Sequence, residues 1–216
     1  TQDELDGHAT QQGANVGDCL YKDISGPNGE PDGVIDAYDQ TVLGSGLPKV
    51  NFGLSTHMEY KGFDLNISTY GVLNYHVSDD IYNSLNSCYG YGNKEVGMLD
   101  ANRWSEDGST YLSSVPRTYA ANNATLGWND LFSSRKIQNA AYWKIANVEL
   151  GYNFPDKWFG GYVSGVRLYV SAQNLYTFTG YHGYNVDYAG GTFTPGYNFC
   201  SFPSARTFMC GLHFTF

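Results

Sequence analysis

The fold class that the sequence predicts is all-β. It reads as about five C-terminal strands of a large antiparallel transmembrane β-barrel with long extracellular loops. Three observations predict it. Apolar and polar residues alternate over runs of about ten to thirteen residues. Ordinary strands have about 5–6 residues, whereas a tilted strand crossing an outer membrane needs about 9–11. Short and long connections alternate along the chain, as the periplasmic turns and outer loops of membrane barrels do. Composition agrees: charged residues are 15% and aromatics 16%, with 26 Gly among 216 residues. That balance disfavours helices and suits strands and turns.

The runs justify themselves in order. In Val50–Tyr60 the even positions (Val50, Phe52, Leu54, Met58, Tyr60) are apolar, with Thr56 among them. The odd ones are Asn51, Gly53, Ser55, His57 and Glu59. A strand sorts these onto two faces; a helix does not. Lys61-Gly62 is a two-residue hairpin connection. Phe63, Leu65 and Ile67 then oppose Asp64, Asn66 and Ser68 in a run continuing toward Leu73. From Tyr142 to Phe154, Val148, Leu150, Tyr152 and Phe154 share a face. Trp143 and Ile145 are out of phase with it, which points to a bulge. Val166–Leu175 sets Val166, Leu168, Val170 and Ala172 against Arg167, Tyr169, Ser171 and Gln173. The last run, Thr207–Phe216, aligns Phe208, Cys210, Leu212, Phe214 and Phe216.

The connections differ sharply in length. Lys61-Gly62 is short and Pro155–Gly165 moderate, while Asn74–Ala141 and Thr177–Ala205 are long. Tyr60, Phe63, Tyr152, Phe154, Trp158, Phe159, Phe214 and Phe216 gather beside the short connections, the distribution of an interfacial aromatic girdle. Gly211, Phe214 and Phe216 are spaced like a barrel-insertion signal. Five strands cannot close a barrel, and lipid does not tolerate unpaired edges. Another polypeptide segment is therefore expected to complete it. No apolar run is long enough for a transmembrane helix, and residues 1–6 lack the basic and apolar parts of a signal peptide.

The net charge is −9, but residues 1–40 hold nine acids against the single base Lys22. The sequence divides into an acidic extracellular loop region, 1–49, and a nearly neutral barrel region, 50–216. Neither has the electropositive face that nucleic acid requires.

The chain resembles the C-terminal part of the SusC/RagA family of TonB-dependent outer-membrane transporters. The resemblance lies in Gly17-Asp18 with Tyr21-Lys22-Asp23, Asp32-Gly33-Val34-Ile35-Asp36, Leu47-Pro48-Lys49 and Tyr60-Lys61-Gly62-Phe63-Asp64. It continues through Arg103-Trp104, Val115-Pro116-Arg117, Ser133-Ser134-Arg135 and Asn147-Val148 with Leu150-Gly151-Tyr152. Val170–Leu175, Gly183-Tyr184 and Arg206-Thr207-Phe208 complete it. It implies a barrel of about 22 strands around an N-terminal plug, set in outer-membrane lipid. It also implies import of glycans or peptides, a SusD-like surface lipoprotein partner, energy through TonB, and no enzymatic step. Two features depart from the family: Tyr184-Asn185-Val186-Asp187 replaces an Asp-Pro-Glu type motif, and the acidic loop after Asp23 carries an insertion.

That loop is the metal candidate. In an EF-hand-type Ca²⁺ loop, Asp32, Gly33, the Val34 carbonyl, Asp36 and Asp39 would take positions five, six, seven, nine and twelve. Asp23 would take position one, with Asn28 or Ser25 substituting because Gly26–Pro31 lengthens the loop. A structural Ca²⁺ is the expectation; a solvated acidic loop is the alternative. Substrate contacts are expected from polar-face residues Asp64, Asn66, Arg167, Tyr169 and Gln173, and from loop aromatics Tyr89, Tyr91, Trp104, Tyr181 and Tyr184. Packing roles compete at each position.

Of the cysteines, Cys210 falls on the apolar face, and Cys88 and Cys200 fall in the two long loops, where a disulfide is chemically feasible; Cys19 lies in the acidic region. No zinc spacing is present. Two other classes compete. A soluble glycan-binding β-sandwich would fold without detergent. A glycan hydrolase would use paired carboxylates among Asp79, Asp80, Asp100 and Glu106. A small complete barrel would need three further strands in the loops.

Overall fold

The computed structural model describes residues 1–88, 93–97, 104–105, 115–118, 127–159, 163–187, 191 and 193–215. In chain order the strands are β1 (Val50–Tyr60), β2 (Phe63–Leu73), β3 (His76–Asp79), β4 (Gln138–Asn139), β5 (Tyr142–Phe154), β6 (Gly165–Thr179), β7 (Tyr197–Asn198) and β8 (Thr207–Thr215). The five long strands form one sheet in the order β1-β2-β5-β6-β8, every neighbouring pair antiparallel. They are the five runs read from the sequence. No described helix is long and apolar enough to cross a membrane.

The hairpin between β1 and β2 needs positive φ at both turn residues. Lys61 has φ 49° and Gly62 φ 88°, the type I′ geometry that matches strand twist. Pairing in register runs from Tyr60↔Phe63 to Val50↔Leu73. Between β2 and β5 the register jumps from Ser68↔Asn147 to Thr69↔Ile145, so Ala146 is the extra, bulged residue. The bulge shifts Trp143 and Ile145 into phase with Val148, Leu150 and Tyr152. Opposite it, β6 leaves Asn174 and Leu175 out of the pairing with β5, and Asn174 takes φ 51°. The alternation breaks there, but the strand runs on to Thr179, four residues beyond the sequence expectation.

The sheet is inverted relative to a water-soluble sheet. One face carries Leu54 (64% exposed), Leu150 (44%), Val170 (51%) and Leu212 (58%) in the open. The polar face is the better covered one, with Asp64 and Ser171 buried. Two aromatic bands edge the apolar face. At the hairpin end Phe63 packs on Tyr152 (ring centroids 4.6 Å), Tyr152 on Phe154 and Phe154 on Trp158. At the other end Trp143 stacks on Phe178 at 5.3 Å, and Tyr176 meets Phe178 edge-on. The sequence reading found the first band and missed the second, because the bulge at Ala146 hides the phase of Trp143 and the run read for β6 stops at Leu175, before Tyr176 and Phe178.

The chain forms two compact units, 1–43 with 80–136 and 44–79 with 137–216. The stretch 80–136, grouped with the barrel in the sequence division at residue 50, belongs to the first unit. In the second unit, beyond the ends of β2, β5 and β6, a small sheet of order β4-β3-β7 covers a core of Tyr75, Val77, Ala140, Tyr142, Tyr181 and Val186. In the first unit, α1 (Gln2–Asp6) starts with a capping box between Thr1 and Glu4. Ile35 is buried, and its N–H donates to the Thr10 carbonyl at 2.9 Å. Asp18 anchors the unit through Arg117 (2.6 Å) and Asn129 (3.0 Å).

Candidate substrate-facing surface

The strand candidates sit where alternation places them, on the polar face near the hairpin, but most of them bind each other. Asp64 accepts two bonds from Arg167, which also reaches Glu149 at 2.7 Å. Asn153 adds a bond to Asp64 at 3.1 Å. This ladder spans β2, β5 and β6. It is possible because Gly151 lies beneath: a Cβ there would meet Arg167 and Asp64 at 2.5 Å. The Arg167 guanidinium lies 5.2 Å from the Tyr169 ring centroid, and Tyr169 in turn covers Gly211, where a Cβ would meet its ring at 2.5 Å. Asn66 Oδ1 is 2.6 Å from His57 Nδ1, and His57 Nε2 is 2.9 Å from Glu59. Asp64, Asn66, Arg167 and Tyr169 thus form a wall lattice, whereas Gln173 stays exposed.

At the far end of the same face a groove of about 330 Å³ opens between β6 and two loops. Lys144, Asn174, Thr177, Thr179, Tyr184 and Arg206 contribute to its lining. Tyr184 is 66% exposed there. Lys144 is buried and ion-paired with Asp187, so the tetrapeptide that departs from the family motif supplies both an open ring and the counter-charge of a buried lysine. Tyr181 has a different role: its hydroxyl donates to buried Asp79, and Asn198 bonds both groups. Burial pushes the Tyr181 phenol well above its ordinary pKa. Trp104 lies in the other unit, over Gly17. Tyr89 and Tyr91 lie outside the described residues. Asn174, Thr177 and Arg206 were missed by the sequence reading; the bulge at Asn174 and Leu175 is the signal that would have found them.

The acidic turn keeps part of a calcium loop. Gly33 has φ 84°, and its N–H donates to Asp23 Oδ2 at 2.7 Å. The remaining carboxylates face backbone amides. Asp32 accepts from Val34 N–H, Asp36 from Tyr38 N–H, and Asp39 from Ile24, Ser25 and Asp36 N–H. Those bonds hold the Asp39 carboxyl below its usual pKa, the one from Asp36 contributing most. Asn28 is exposed in the inserted turn. Among the described residues no group of three or more His, Cys, Asp or Glu side chains is placed to hold a metal ion. Asp23 Oδ1 is nevertheless buried without a hydrogen-bond partner.

The remaining candidates separate. Gly211 faces the polar side and Phe214 the apolar side, paired with Val166; Phe216 lies outside the described residues. Of the carboxylates considered for hydrolysis, Asp79 is a buried acceptor, Asp80 begins the short helix α2 (Asp80–Leu85), and Asp100 and Glu106 lie outside the described residues. All four cysteines are free thiols in this structure.

No protein-family model matches the chain. It is similar to TonB-dependent receptor P3 of Formosa agariphila, with 30% identity over 220 residues, 98% of this chain and 20% of that receptor. It is also similar to TonB-dependent receptor SusC of Bacteroides thetaiotaomicron, with 26% identity over 91% of this chain and 19% of SusC. The fold matches the RagAB peptide transporter (TM-score 0.67, 21% identity, 84% of this chain and 19% of that one). It also matches the RagAB peptide importer in its open-open state (TM-score 0.68, 24% identity, 88% and 20%). The chain spans about one fifth of the length of the curated relatives it matches.

Proposed function

We infer that this chain, a barrel portion of a SusC/RagA-type TonB-dependent receptor of the bacterial outer membrane, serves the import of glycans through the receptor's lumen. The inverted sheet is the observation that carries the reading: its apolar face suits lipid and its polar face a wet lumen. The chain makes and breaks no bond in this role. In the proposed assembly the rest of the same receptor closes the barrel and plugs it. A SusD-like lipoprotein covers the outer mouth, and TonB supplies the energy. The groove at Tyr184 supports a carbohydrate cargo, since an open aromatic ring flanked by Asn174, Thr177 and Thr179 can stack on a sugar face and bond its hydroxyls. A peptide cargo is the second reading, favoured by the fold match to a peptide transporter.

Uptake of fluorescent oligosaccharides and oligopeptides by the native bacterium, with and without the receptor gene, tests the assignment. Loss of oligosaccharide uptake alone is expected; loss of peptide uptake alone would select the second reading. We also propose a structural Ca²⁺ at the acidic turn, where the unpartnered Asp23 Oδ1 offers a ligand. Calorimetry of the chelator-treated receptor against Ca²⁺ should show saturable binding that Asp23→Ala removes. No saturable heat would leave the turn as a self-bonded acidic loop.

A further inference from the structure

We propose that Cys19 and Cys88 form a disulfide in the mature receptor. Consecutive side chains pin the two backbones. Cys19 N–H donates to Asn129 Oδ1 at 2.6 Å, and Cys88 N–H donates to both oxygens of Asp130 at 3.1 Å. Asn129 and Asp130 share the 3-10 turn Trp128–Asp130. The thiols share a cation as well. Arg135 Nη1 donates to Cys19 Sγ at 3.2 Å, and the Arg135 guanidinium also acts on the Cys88 thiol by charge and hydrogen bonding. One cation therefore serves both thiols, and one 3-10 turn holds both backbones.

The other cysteines belong to the second unit. Cys210 lies opposite Val170 on the apolar sheet face, and Cys200 is exposed. Cys88 is 1% exposed, and burial pushes its thiol pKa up. Exchange must therefore precede closure of this site. An outer-membrane protein folds after export into an oxidising compartment, where such bonds form and persist. The reaction balances by thiol–disulfide exchange. One S–S bond forms between Cys19 and Cys88, and one breaks in a disulfide-bearing periplasmic oxidoreductase. That enzyme takes up the two electrons and two protons and leaves as a dithiol. The bond would tie the acidic region to the segment that follows β3, independently of which cargo the receptor carries.

Peptide mapping of the full receptor, extracted from native outer membranes, tests the bond. Free thiols are alkylated in denaturant without reductant before digestion. The expected result is a linked peptide pair containing Cys19 and Cys88, with Cys200 and Cys210 alkylated. Reductant should release the pair, and Cys19→Ser should leave Cys88 alkylated. Alkylation of all four cysteines in the wild-type receptor, or a link from Cys88 to Cys200, would overturn the proposal.

Discussion

A charge placed on the apolar face should cost free energy according to its depth. On β5 the residues from Trp143 in one aromatic band to Tyr152 in the other cover about 26–30 Å of strand at about 3.3 Å per residue. At a tilt of about 40° this is about 20–23 Å of height, close to the apolar band of outer-membrane barrels. The row Thr56, Ile67, Val148, Ala172 and Phe208 lies near its middle, and Val170 sits one row closer to the hairpin. That row lies about 5 Å from the middle one. Arg costs about 2–4 kcal/mol at the midplane and about 0–1 near the interfaces. Val170→Arg should therefore cost about 2–3 kcal/mol, a factor of about 30–150 in the folding equilibrium. Phe178→Arg, in the outer band, should cost at most about 1 kcal/mol. Gln173→Arg, exposed on the polar face, should be nearly neutral. Urea-dependent folding of the receptor into lipid vesicles, read by heat-dependent gel mobility, gives the three midpoints. Equal costs for the three variants, or a larger cost for Gln173→Arg than for Val170→Arg, would refute the assignment of faces.

Three further outcomes follow from named contacts. Gly211→Val should destabilise by about 1–3 kcal/mol through its clash with the Tyr169 ring, and Tyr169→Ala in the same chain should recover most of the loss in that folding assay. Arg167→Ala should cost about 2–4 kcal/mol, because Asp64, with a side chain 6% exposed, is left beside Glu149 without its cation. Adding Asp64→Ala should cost less than the single change, and a strictly additive double variant would show that the pair is not coupled. In the acidic turn, the depressed Asp39 pKa fixes the sign of the pH dependence. The stabilisation is complete above the ordinary carboxylate pKa and fades as pH falls through the lowered one. Protection factors for amide exchange at Ile24, Ser25 and Asp36, taken against the intrinsic rate at each pH, should fall on acidification, and Asp39→Asn should flatten that response.

How far the sequence could be read depended on whether each property is local. The five strands were legible because alternation records which face each residue occupies, and the hairpin because Lys61-Gly62 can adopt two positive φ values. The outer end of β6 was not, since polar Asn174 and apolar Leu175 interrupt the alternation while the ladder resumes in the same phase past them. The bulge at Ala146 concealed Trp143, and the interruption at Asn174 and Leu175 stopped the reading short of Thr177 and Phe178. The roles of Arg167 and Tyr181 were illegible for another reason. A polar residue facing the lumen looks the same in sequence whether it waits for cargo or is consumed by neighbours. Asp64 and Arg167 are 103 positions apart, and only the register of β2, β5 and β6 brings them together. The glycines carry the missing information: Gly151 and Gly211 mark where Arg167 and Tyr169 lie flat on the wall. A polar strand residue opposite or diagonal to a lumen-facing glycine is therefore better read as wall lattice. An open residue beside a bulge, where the strand turns a side chain outward, is the stronger cargo candidate. Half-buried Asn174 at the bulge and the exposed loop ring of Tyr184 therefore displace Arg167 and Tyr169 as the residues to mutate first in an uptake assay.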